Sequence, residues 1–184
     1  MLRRRKLDRG MARGGRGELT TKRCILRPVT ADDARSLHEL WSSAGVRRFL
    51  WDDKVIPITR TLEAIEQSEL LFREHRCGLW SVTPLHASTF IGFGGLWPFR
   101  DPPEMELLYG VAEVAWGRGY ATEIAEAVTT HCFTQLAMPT VRASTDVANF
   151  ASIRVLEKLG FLLVRRAVVD GLKTAFYELT PHGV

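Results

Sequence analysis

The sequence is poor in cysteine and lacks any long apolar run. Its three cysteines, Cys24, Cys77 and Cys132, are far apart and form no CxxC pair, so they predict neither a disulfide framework nor a zinc site. Of the five histidines only His131 adjoins a cysteine, and adjacent helical residues point in different directions, so we expect no bound metal. No apolar stretch approaches the length of about 20 residues that crosses a bilayer. We therefore expect a protein of the reducing cytoplasm without a membrane contact.

The nucleotide-binding loops with well-defined spacing are also missing. The GxxxxGK[ST] pattern of a phosphate-binding loop does not occur. The GxGxxG dinucleotide fingerprint would need glycine at position 122, where Thr122 stands, although variants of that fingerprint exist. A dinucleotide-binding fold also begins with its glycine loop, whereas the glycine-rich segment here lies in the middle of the chain. These absences disfavour both nucleotide-binding folds.

Basic charge is concentrated at the N-terminus. The net charge of the chain is +4, but residues 1–18 hold seven basic and two acidic side chains, and the remainder carries only −1. We expect 1–18 to be a disordered basic tail, because it has few apolar residues to offset the entropy of ordering. The alternatives are an RNA-contacting arm, a targeting sequence or a leader ahead of Met11. Residues 19–184 have the length and composition of one domain, and their charge predicts no specific nucleic-acid binding.

Hydrophobic periodicity predicts alternating strands and helices after the tail. Thr30 and Asp33 have the spacing of a helix start, and Asp170-Gly171 is typical of a two-residue hairpin turn. The predicted strands cover 24–29, 79–84, 89–99, 105–111, 140–147, 161–169 and 173–180, and the predicted helices begin near 30, 61, 121 and 149. The second of these helices is expected to end at Cys77-Gly78 and to bury Leu62, Ile65, Leu70 and Phe72.

The segment WGRGYA, Trp116 to Ala121, joins a predicted strand to a predicted helix. Gly117 and Gly119 let the backbone approach a ligand closely, and the first helical turn offers unpaired N–H groups and the positive end of a dipole. Arg118 adds a positive charge. Together these features favour a pyrophosphate site. The alternative is a glycine-rich turn without a ligand.

Four segments resemble, in the same order, the Rim-type members of the GNAT acetyltransferase superfamily. They are ELTTKRCILRPVTADDARSL, FIGFGGL, MELLYGVAEVAWGRGYATEIAEAV and NFASIRVLEKLGF, which belong to a resemblance over about residues 18–179. The resemblance implies an α/β (α+β) GNAT fold, with a mixed, mostly antiparallel, splayed sheet of about six or seven strands flanked by about four helices. It also implies an N-acetyltransferase of the RimJ/RimL, ribosomal-protein-alanine type, which moves an acetyl group from acetyl-CoA to a primary amine by direct attack in a ternary complex.

By the same resemblance, acetyl-CoA lies in the splay of the sheet. The family pattern assigns its pyrophosphate to 117–121 and its pantetheine arm to Asn149, which is also a favourable helix N-cap. A backbone N–H near Leu108 would hold the thioester oxygen, and Trp116 stands where many relatives carry Gln or Arg. The implied cofactor-binding residues are Leu108, Val111, Trp116, Gly117, Arg118, Gly119, Tyr120, Ala121, Thr122, Asn149 and Ser152.

Acetylation of an amine needs a base and a group that stabilises the departing thiolate. Glu106 matches the position of an acidic residue near the acceptor in similar enzymes, with Glu104 in reserve, and the alternative is an ordinary solvent-facing carboxylate. Strand alternation places Glu106 and Leu108 on one face of their strand. Ser152 would donate a hydrogen bond to the leaving sulfur. Leu156 stands where many relatives have a tyrosine acid, so Ser152 and a water remain the alternatives for that role.

The sequence defines the acceptor side less closely. Acidic residues near the expected entrance would attract a cationic amine, whereas the aromatic residues there would form either a wall of the site or part of the core. The acids are Asp52, Asp53, Asp101, Glu104 and Glu106, and the aromatics are Trp51, Trp97 and Phe99. A non-catalytic acyl-CoA-binding regulatory module is the alternative function. The acceptor, a protein N-terminal α-amine or a small molecule, and the choice between monomer and homodimer stay open.

Overall fold

Strands and helices alternate along the residues that the computed structural model describes, 17–100 and 103–181. The strands are β1 (Leu19–Thr20), β2 (Cys24–Pro28), β3 (Leu79–Pro84), β4 (Gly92–Phe99), β5 (Glu104–Val111), β6 (Val141–Asp146), β7 (Leu162–Val169) and β8 (Leu172–Leu179). The α-helices are α1 (Ala34–Ser42), α2 (Ala44–Leu50), α3 (Ile58–His75), α4 (Tyr120–Thr134) and α5 (Phe150–Lys158). The predicted tail lies outside the described residues apart from Gly17 and Glu18.

The strands form one eight-stranded sheet in the order β1-β2-β3-β4-β5-β6-β8-β7. Neighbouring strands are antiparallel except β5 and β6, which are parallel. The sheet exceeds the predicted number of strands because β1, 2 residues long, has no sequence pattern of its own and is defined by its pairing with β2. Among the described residues, the helix missing from the prediction is α2. It has 7 residues, and the residue before it, Ser43, has an extended backbone conformation.

The helix α3 differs from its prediction in its ends and in its buried face. It begins directly after Pro57 and is closed by Arg76, a non-glycine residue with a φ of 58°. Leu62 and Leu70, predicted to be buried, are 39% and 46% exposed. The buried residues are Thr61, Ala64, Ile65 and Ser68. Two of these are polar and face inward because each has a partner there: the His38 ring for Thr61 and the Leu79 backbone N–H for Ser68.

Two predicted turn signals are confirmed. Asp170 and Gly171 have φ values of 50° and 82°, as a two-residue turn between β7 and β8 requires. At the start of the helical segment that leads into α1, the Asp33 carboxylate accepts the Thr30 backbone N–H at 2.9 Å. Each signal depends on residues that are close in sequence, so the turn and the helix start can be predicted without tertiary information.

The sheet separates two apolar clusters. One contains Ile124 and Val128 of α4, and the other contains Leu37 and Trp41 of α1. On β5, Leu107 and Val111 join the first cluster whereas Leu108 packs against the second, which confirms the predicted alternation of this strand. No described helix combines the length and the apolar character needed to cross a membrane.

The strands β5 and β6 diverge almost as soon as they meet. β5 pairs with β4 along its whole length, from Glu104 opposite Phe99 to Val111 opposite Gly92. With β6 it has a single aligned pair, Glu106 and Arg142. Beyond this pair the facing edges lack the ladder partners of a continuous sheet, so the sheet is split there.

Candidate active site

A cavity of about 600 Å³ lies where β5 and β6 diverge. Residues 107–111 of β5 form one wall and 143–145 of β6 form the opposite wall. The remaining walls come from α2, the N-terminal turn of α4, and α5. Backbone groups on the edge of β5 are thus exposed to a ligand that lies between the strands, as the groups of a sheet edge are to an added strand.

The turn before α4 brings two glycines with positive φ to this cavity, Gly117 at 70° and Gly119 at 79°. Gly119 is the N-cap of the 15-residue helix, and no side chain in the described part of the chain caps its N–H groups. A Cβ at Gly117 would meet no atom within 4 Å, so glycine is required here by the backbone conformation and not by packing. The exposed N–H groups and the helix dipole make this end of α4 suitable for an anion.

Arg23 and Glu123 hold this turn from the side of β2. The Glu123 carboxylate accepts hydrogen bonds from Thr21 Oγ1 at 2.6 Å, from the Arg23 backbone N–H at 2.8 Å and from Arg23 Nε at 2.6 Å. Arg23 Nη1 donates to the Arg118 carbonyl at 2.9 Å, and its guanidinium lies 4.4 Å from the centre of the Tyr120 ring. Burial would raise the pKa of Glu123, but the hydrogen bonds from Thr21 and Arg23 outweigh it, and the pKa is lowered. The β1–β2 turn is thereby tied to the start of α4.

Ser152 lies on the opposite wall, in the first turn of α5. Its backbone N–H donates to Asn149 Oδ1 at 3.1 Å, which confirms Asn149 as the N-cap of α5. Its hydroxyl lies 2.9 Å from the hydroxyl of Tyr109 on β5. Burial raises the pKa of Tyr109 to about 12, although the hydrogen bond with Ser152 acts in the opposite direction. Two hydroxyl groups therefore meet at the cavity wall.

Glu106 is buried at the point where the two strands part, with 2% of its surface exposed. This corrects the alternative of a solvent-facing carboxylate. The carboxylate forms an ion pair with Arg100 and accepts a hydrogen bond from Ser144 Oγ at 2.5 Å. Glu106 does not itself line the cavity, but Ser144 does. The carboxylate is therefore one hydroxyl group away from the cavity.

The acidic residues expected at the acceptor entrance all have basic neighbours where the structure describes them. Glu104 and Glu106 share Arg100, and Arg142 lies 3.6 Å from Glu104. Asp53 pairs with Arg47 at 2.9 Å, and Asp52 lies 4.0 Å from Lys54, while Asp101 falls outside the described residues. These basic residues thus offset the negative charge that the acidic residues alone would give to the acceptor side.

The family model for an acetyltransferase (GNAT) domain matches residues 23–162, which include both strands of the cavity, the glycine turn and α5. The chain belongs to the GNAT acetyltransferase family. Members of this family transfer an acetyl group from acetyl-CoA to an amine, and the protein is an acyltransferase of this class.

The relatives of this acetyltransferase agree with the family assignment. An uncharacterised N-acetyltransferase, YoaA of Bacillus subtilis (strain 168), is 27% identical over 78% of this chain and 81% of its own. An acetyltransferase from Agrobacterium tumefaciens str. C58 has a TM-score of 0.77 at 23% identity, over 88% of this chain and 93% of that one. RimL, a ribosomal L7/L12 α-N-protein acetyltransferase solved with coenzyme A, has a TM-score of 0.75 at 16% identity, over 89% and 97%. The structural matches show that the fold is shared.

Trp116 braces the entrance of the cavity in this acetyltransferase. Its indole Nε1 donates to the Val111 carbonyl at 2.6 Å, which fixes the ring relative to the end of β5. Gly45 of α2 lies against the ring, since a Cβ at that position would come 2.5 Å from both the ring edge and the Glu113 carboxylate. About half of the Trp116 surface is exposed. The ring therefore links α2 to the glycine turn and leaves a face open.

Most of the predicted cofactor residues meet at the cavity. Those that line it are Leu108, Val111, Trp116, Gly117, Gly119, Tyr120, Ala121, Thr122, Asn149 and Ser152. Arg118 does not line it and faces a neighbouring open groove. Leu156, where relatives carry a tyrosine, is buried and lines the cavity with an apolar side chain. Trp51 and Trp97, considered for an acceptor wall, pack against the apolar cluster of α1.

Sequence reasoning missed three polar contributions to the site. Strand alternation places Tyr109 on the apolar face of its strand, and only its phenol hydroxyl indicates that it has a polar partner. Ser144 lies on a strand whose pattern carries no functional signal. The Arg23–Glu123 pair joins residues 100 positions apart in the sequence, and no local motif predicts it.

Proposed function

We propose that the protein binds acetyl-CoA in the cavity between β5 and β6 and transfers the acetyl group to a primary amine that reaches Ser144, the hydrogen-bond partner of Glu106. The observation that carries this proposal is the split of the sheet, with an uncapped helix N-terminus at its rim and hydroxyl groups within it. The dimensions fit an extended ligand that is anionic at one end, because the cavity extends from the glycine turn to the middle of β5.

The residues of the glycine turn would bind the pyrophosphate. The backbone N–H groups of the first turn of α4 are uncapped, and the positive φ of Gly117 and Gly119 turns the chain without side chains that would block approach. The Arg23–Glu123 pair would keep this turn in place in the absence of a ligand. Such preorganisation reduces the entropy lost on binding.

Residues of β5 and α5 would orient the thioester. The unpaired edge of β5 can bond the amide groups of the pantetheine arm, and we assign the Leu108 backbone N–H to the thioester oxygen, where negative charge develops during attack. The Ser152 hydroxyl would donate to the departing sulfur. Asn149 already binds the Ser152 backbone N–H and so fixes the start of α5 at the same wall.

Glu106 would remove a proton from the acceptor amine through Ser144. The Ser144 hydroxyl donates to Glu106 at 2.5 Å and also lines the cavity, so it connects the buried carboxylate with the reacting groups. An amine is mainly protonated near neutral pH and cannot attack until it loses a proton. Arg100 and Ser144 fix the carboxylate in one orientation for this exchange.

We propose that the acceptor is a protein N-terminal α-amine or a small primary amine. The likeness to RimL supports the first class. The acidic residues at the acceptor side are paired with basic ones, which favours a site that does not depend on strong attraction of a cationic amine. We also propose the cytoplasm as the location. The buried free thiols of Cys24, Cys77 and Cys132 support a reducing compartment.

A panel assay tests this function. The release of free coenzyme A thiol from acetyl-CoA is followed with peptides that have Ser or Ala at a free N-terminus, with the same peptides blocked at the α-amine, and with small amines. We expect turnover with at least one free amine and none with its blocked form. Calorimetric binding of acetyl-CoA without turnover on any amine would contradict the catalytic proposal and leave a binding module.

A further inference from the structure

The hydroxyl group of Tyr109 is placed where it acts on Ser152. The two oxygens are 2.9 Å apart, although the residues are 43 positions apart in sequence and lie on β5 and α5. The same phenol oxygen is 3.3 Å from the Ser152 carbonyl, a longer contact. Together with the bond from the Ser152 N–H to Asn149, this gives Ser152 one fixed point on its backbone and one on its side chain.

The acidity of the two groups favours one direction for this hydrogen bond, with Tyr109 as the donor. A phenol is a much stronger acid than an aliphatic alcohol, so Tyr109 is the better donor and the Ser152 oxygen the better acceptor. A phenol is protonated across the neutral range, and burial raises the pKa of Tyr109 further, to about 12. In this arrangement the hydroxyl hydrogen of Ser152 is free to form a hydrogen bond with a group inside the cavity.

Packing alone does not require the hydroxyl of Tyr109. The ring packs against the apolar cluster beneath α4, where phenylalanine would fill the same space. The residue is partly buried, and its contact with Ser152 gives both hydroxyl groups a hydrogen-bond partner at the cavity wall. The position therefore has a polar role that is separate from its apolar one.

We propose that Tyr109 is a positioning residue that donates to Ser152 Oγ and directs the Ser152 hydrogen at the sulfur of the bound cofactor. The inference rests on the proposed function. When the C–S bond of the tetrahedral intermediate breaks, the electron pair stays on sulfur and is stabilised by the hydrogen bond from Ser152. Tyr109 and Ser152 keep their own protons, and the thiolate leaves as such or takes the proton that the amine has released.

The test measures the pKa of the thiol of enzyme-bound coenzyme A, so no acceptor amine is needed. The thiolate is followed by its ultraviolet absorbance as the pH is raised, in wild type, Tyr109→Phe, Ser152→Ala and the double variant. Arg154 and Lys158 also line the cavity and favour the thiolate, but both are present in every variant. Tyr177→Phe is the matched control, because Tyr177 is a buried tyrosine of β8 that does not line the cavity.

We expect Tyr109→Phe to raise the pKa of the bound thiol by about 0.3–1 unit, in keeping with the loss of one supporting hydrogen bond. Ser152→Ala should raise it by at least as much, Tyr177→Phe should leave it unchanged, and Tyr109→Phe should add nothing when Ser152 is already alanine. With an active acceptor, Tyr109→Phe should lower kcat about 3- to 10-fold with little change in the KM for acetyl-CoA.

Two results would overturn the inference while the proposed function stands: an unchanged thiol pKa in Tyr109→Phe, or an equal shift for Tyr109→Phe with and without the Ser152 hydroxyl. The second result would show that Tyr109 acts independently of Ser152. If wild type does not bind coenzyme A, the proposed function fails, and the inference fails with it.

Discussion

Glu106 shows how the surroundings of a single residue decide its chemistry. Its place on the strand before the glycine turn could be predicted from the sequence, but its burial and its two partners could not, because Arg100 follows β4 and Ser144 lies on β6. A carboxylate held by a guanidinium and a hydroxyl is oriented, and its access to the cavity runs through Ser144. The proposed role of Glu106 as a base therefore depends on a relay rather than on direct contact with the amine.

Glu106→Gln should lower kcat/KM on the order of 10²- to 10⁴-fold with the affinity for acetyl-CoA intact, because glutamine keeps the shape and loses the proton acceptor. The loss should shrink as the pH rises towards the pKa of the substrate amine, because free amine then forms without the enzyme. A pH–rate profile measures this. Glu104→Gln is measured alongside as the reserve candidate, since Glu104 also pairs with Arg100 but is more exposed. A profile of Glu106→Gln parallel to that of wild type would exclude Glu106 as the base and move the test to Glu104.

Gly119→Val should abolish the binding of acetyl-CoA. Valine at a φ of 79° is strained, and its Cβ would lie 3.6 Å from Nη2 of Arg23, the residue that holds this turn. Calorimetric titration with acetyl-CoA measures the loss. Gly171→Val supplies the control for strain, because Gly171 has a φ of 82° in the β7–β8 turn, away from the cavity. Equal affinities in wild type and Gly119→Val would remove the pyrophosphate assignment.

At the scale of the elements, the start of α4 is joined to the β1–β2 turn by Glu123. The sequence predicts α4 and its glycine turn from local patterns, and it predicts the β7–β8 hairpin from Asp170-Gly171 alone. It does not predict β1, which exists only through pairing, or the polar stripe of α3, which is buried because His38 and the Leu79 N–H meet it. The sequence thus predicts the elements that local propensity determines, and it does not predict the elements that depend on distant partners.

Glu123→Gln should lower the free energy of unfolding near neutral pH by about 1–2 kcal/mol, as expected for the loss of charge-assisted hydrogen bonds. The pKa of Glu123 is lowered by folding, so its stabilising contribution is complete above the ordinary pKa of a glutamate and is lost as the pH falls through the lowered value. Urea unfolding at several pH values should therefore show wild type and variant converging in acid. Glu126→Gln, on the exposed side of α4, is the control. A difference that did not depend on pH would contradict the assignment to the Glu123 charge.

At the scale of the whole molecule, Gly17 connects the predicted tail with the core. The carbonyl of Gly17 accepts the indole N–H of the buried Trp80 at 2.6 Å. The sequence does not predict this contact, because no pattern marks a single backbone carbonyl as the acceptor of a distant side chain. The disorder of the tail and its boundary at residue 18 stay predictions.

Deletion of residues 1–16 should leave the melting temperature and the turnover of small amines nearly unchanged, because the segment has charge but few apolar residues. Deletion of 1–18 should instead lower the free energy of unfolding by about 1–3 kcal/mol, since Trp80 then has a buried donor without its acceptor. Thermal melts of the two truncated proteins measure the contrast. Loss of activity in the shorter deletion would contradict the tail prediction.

Because β5 and β6 share a single aligned pair, we expect the sheet to open as two separate units. Strands β1 to β5 form a continuous ladder, and β6, β8 and β7 form another, while α4 and α5 both contribute side chains to one apolar cluster. A ligand in the split would act as a short additional strand that couples the two units. Amide hydrogen exchange in β6 and β8 should then slow when acetyl-CoA binds, because local opening of the second unit would require release of the ligand.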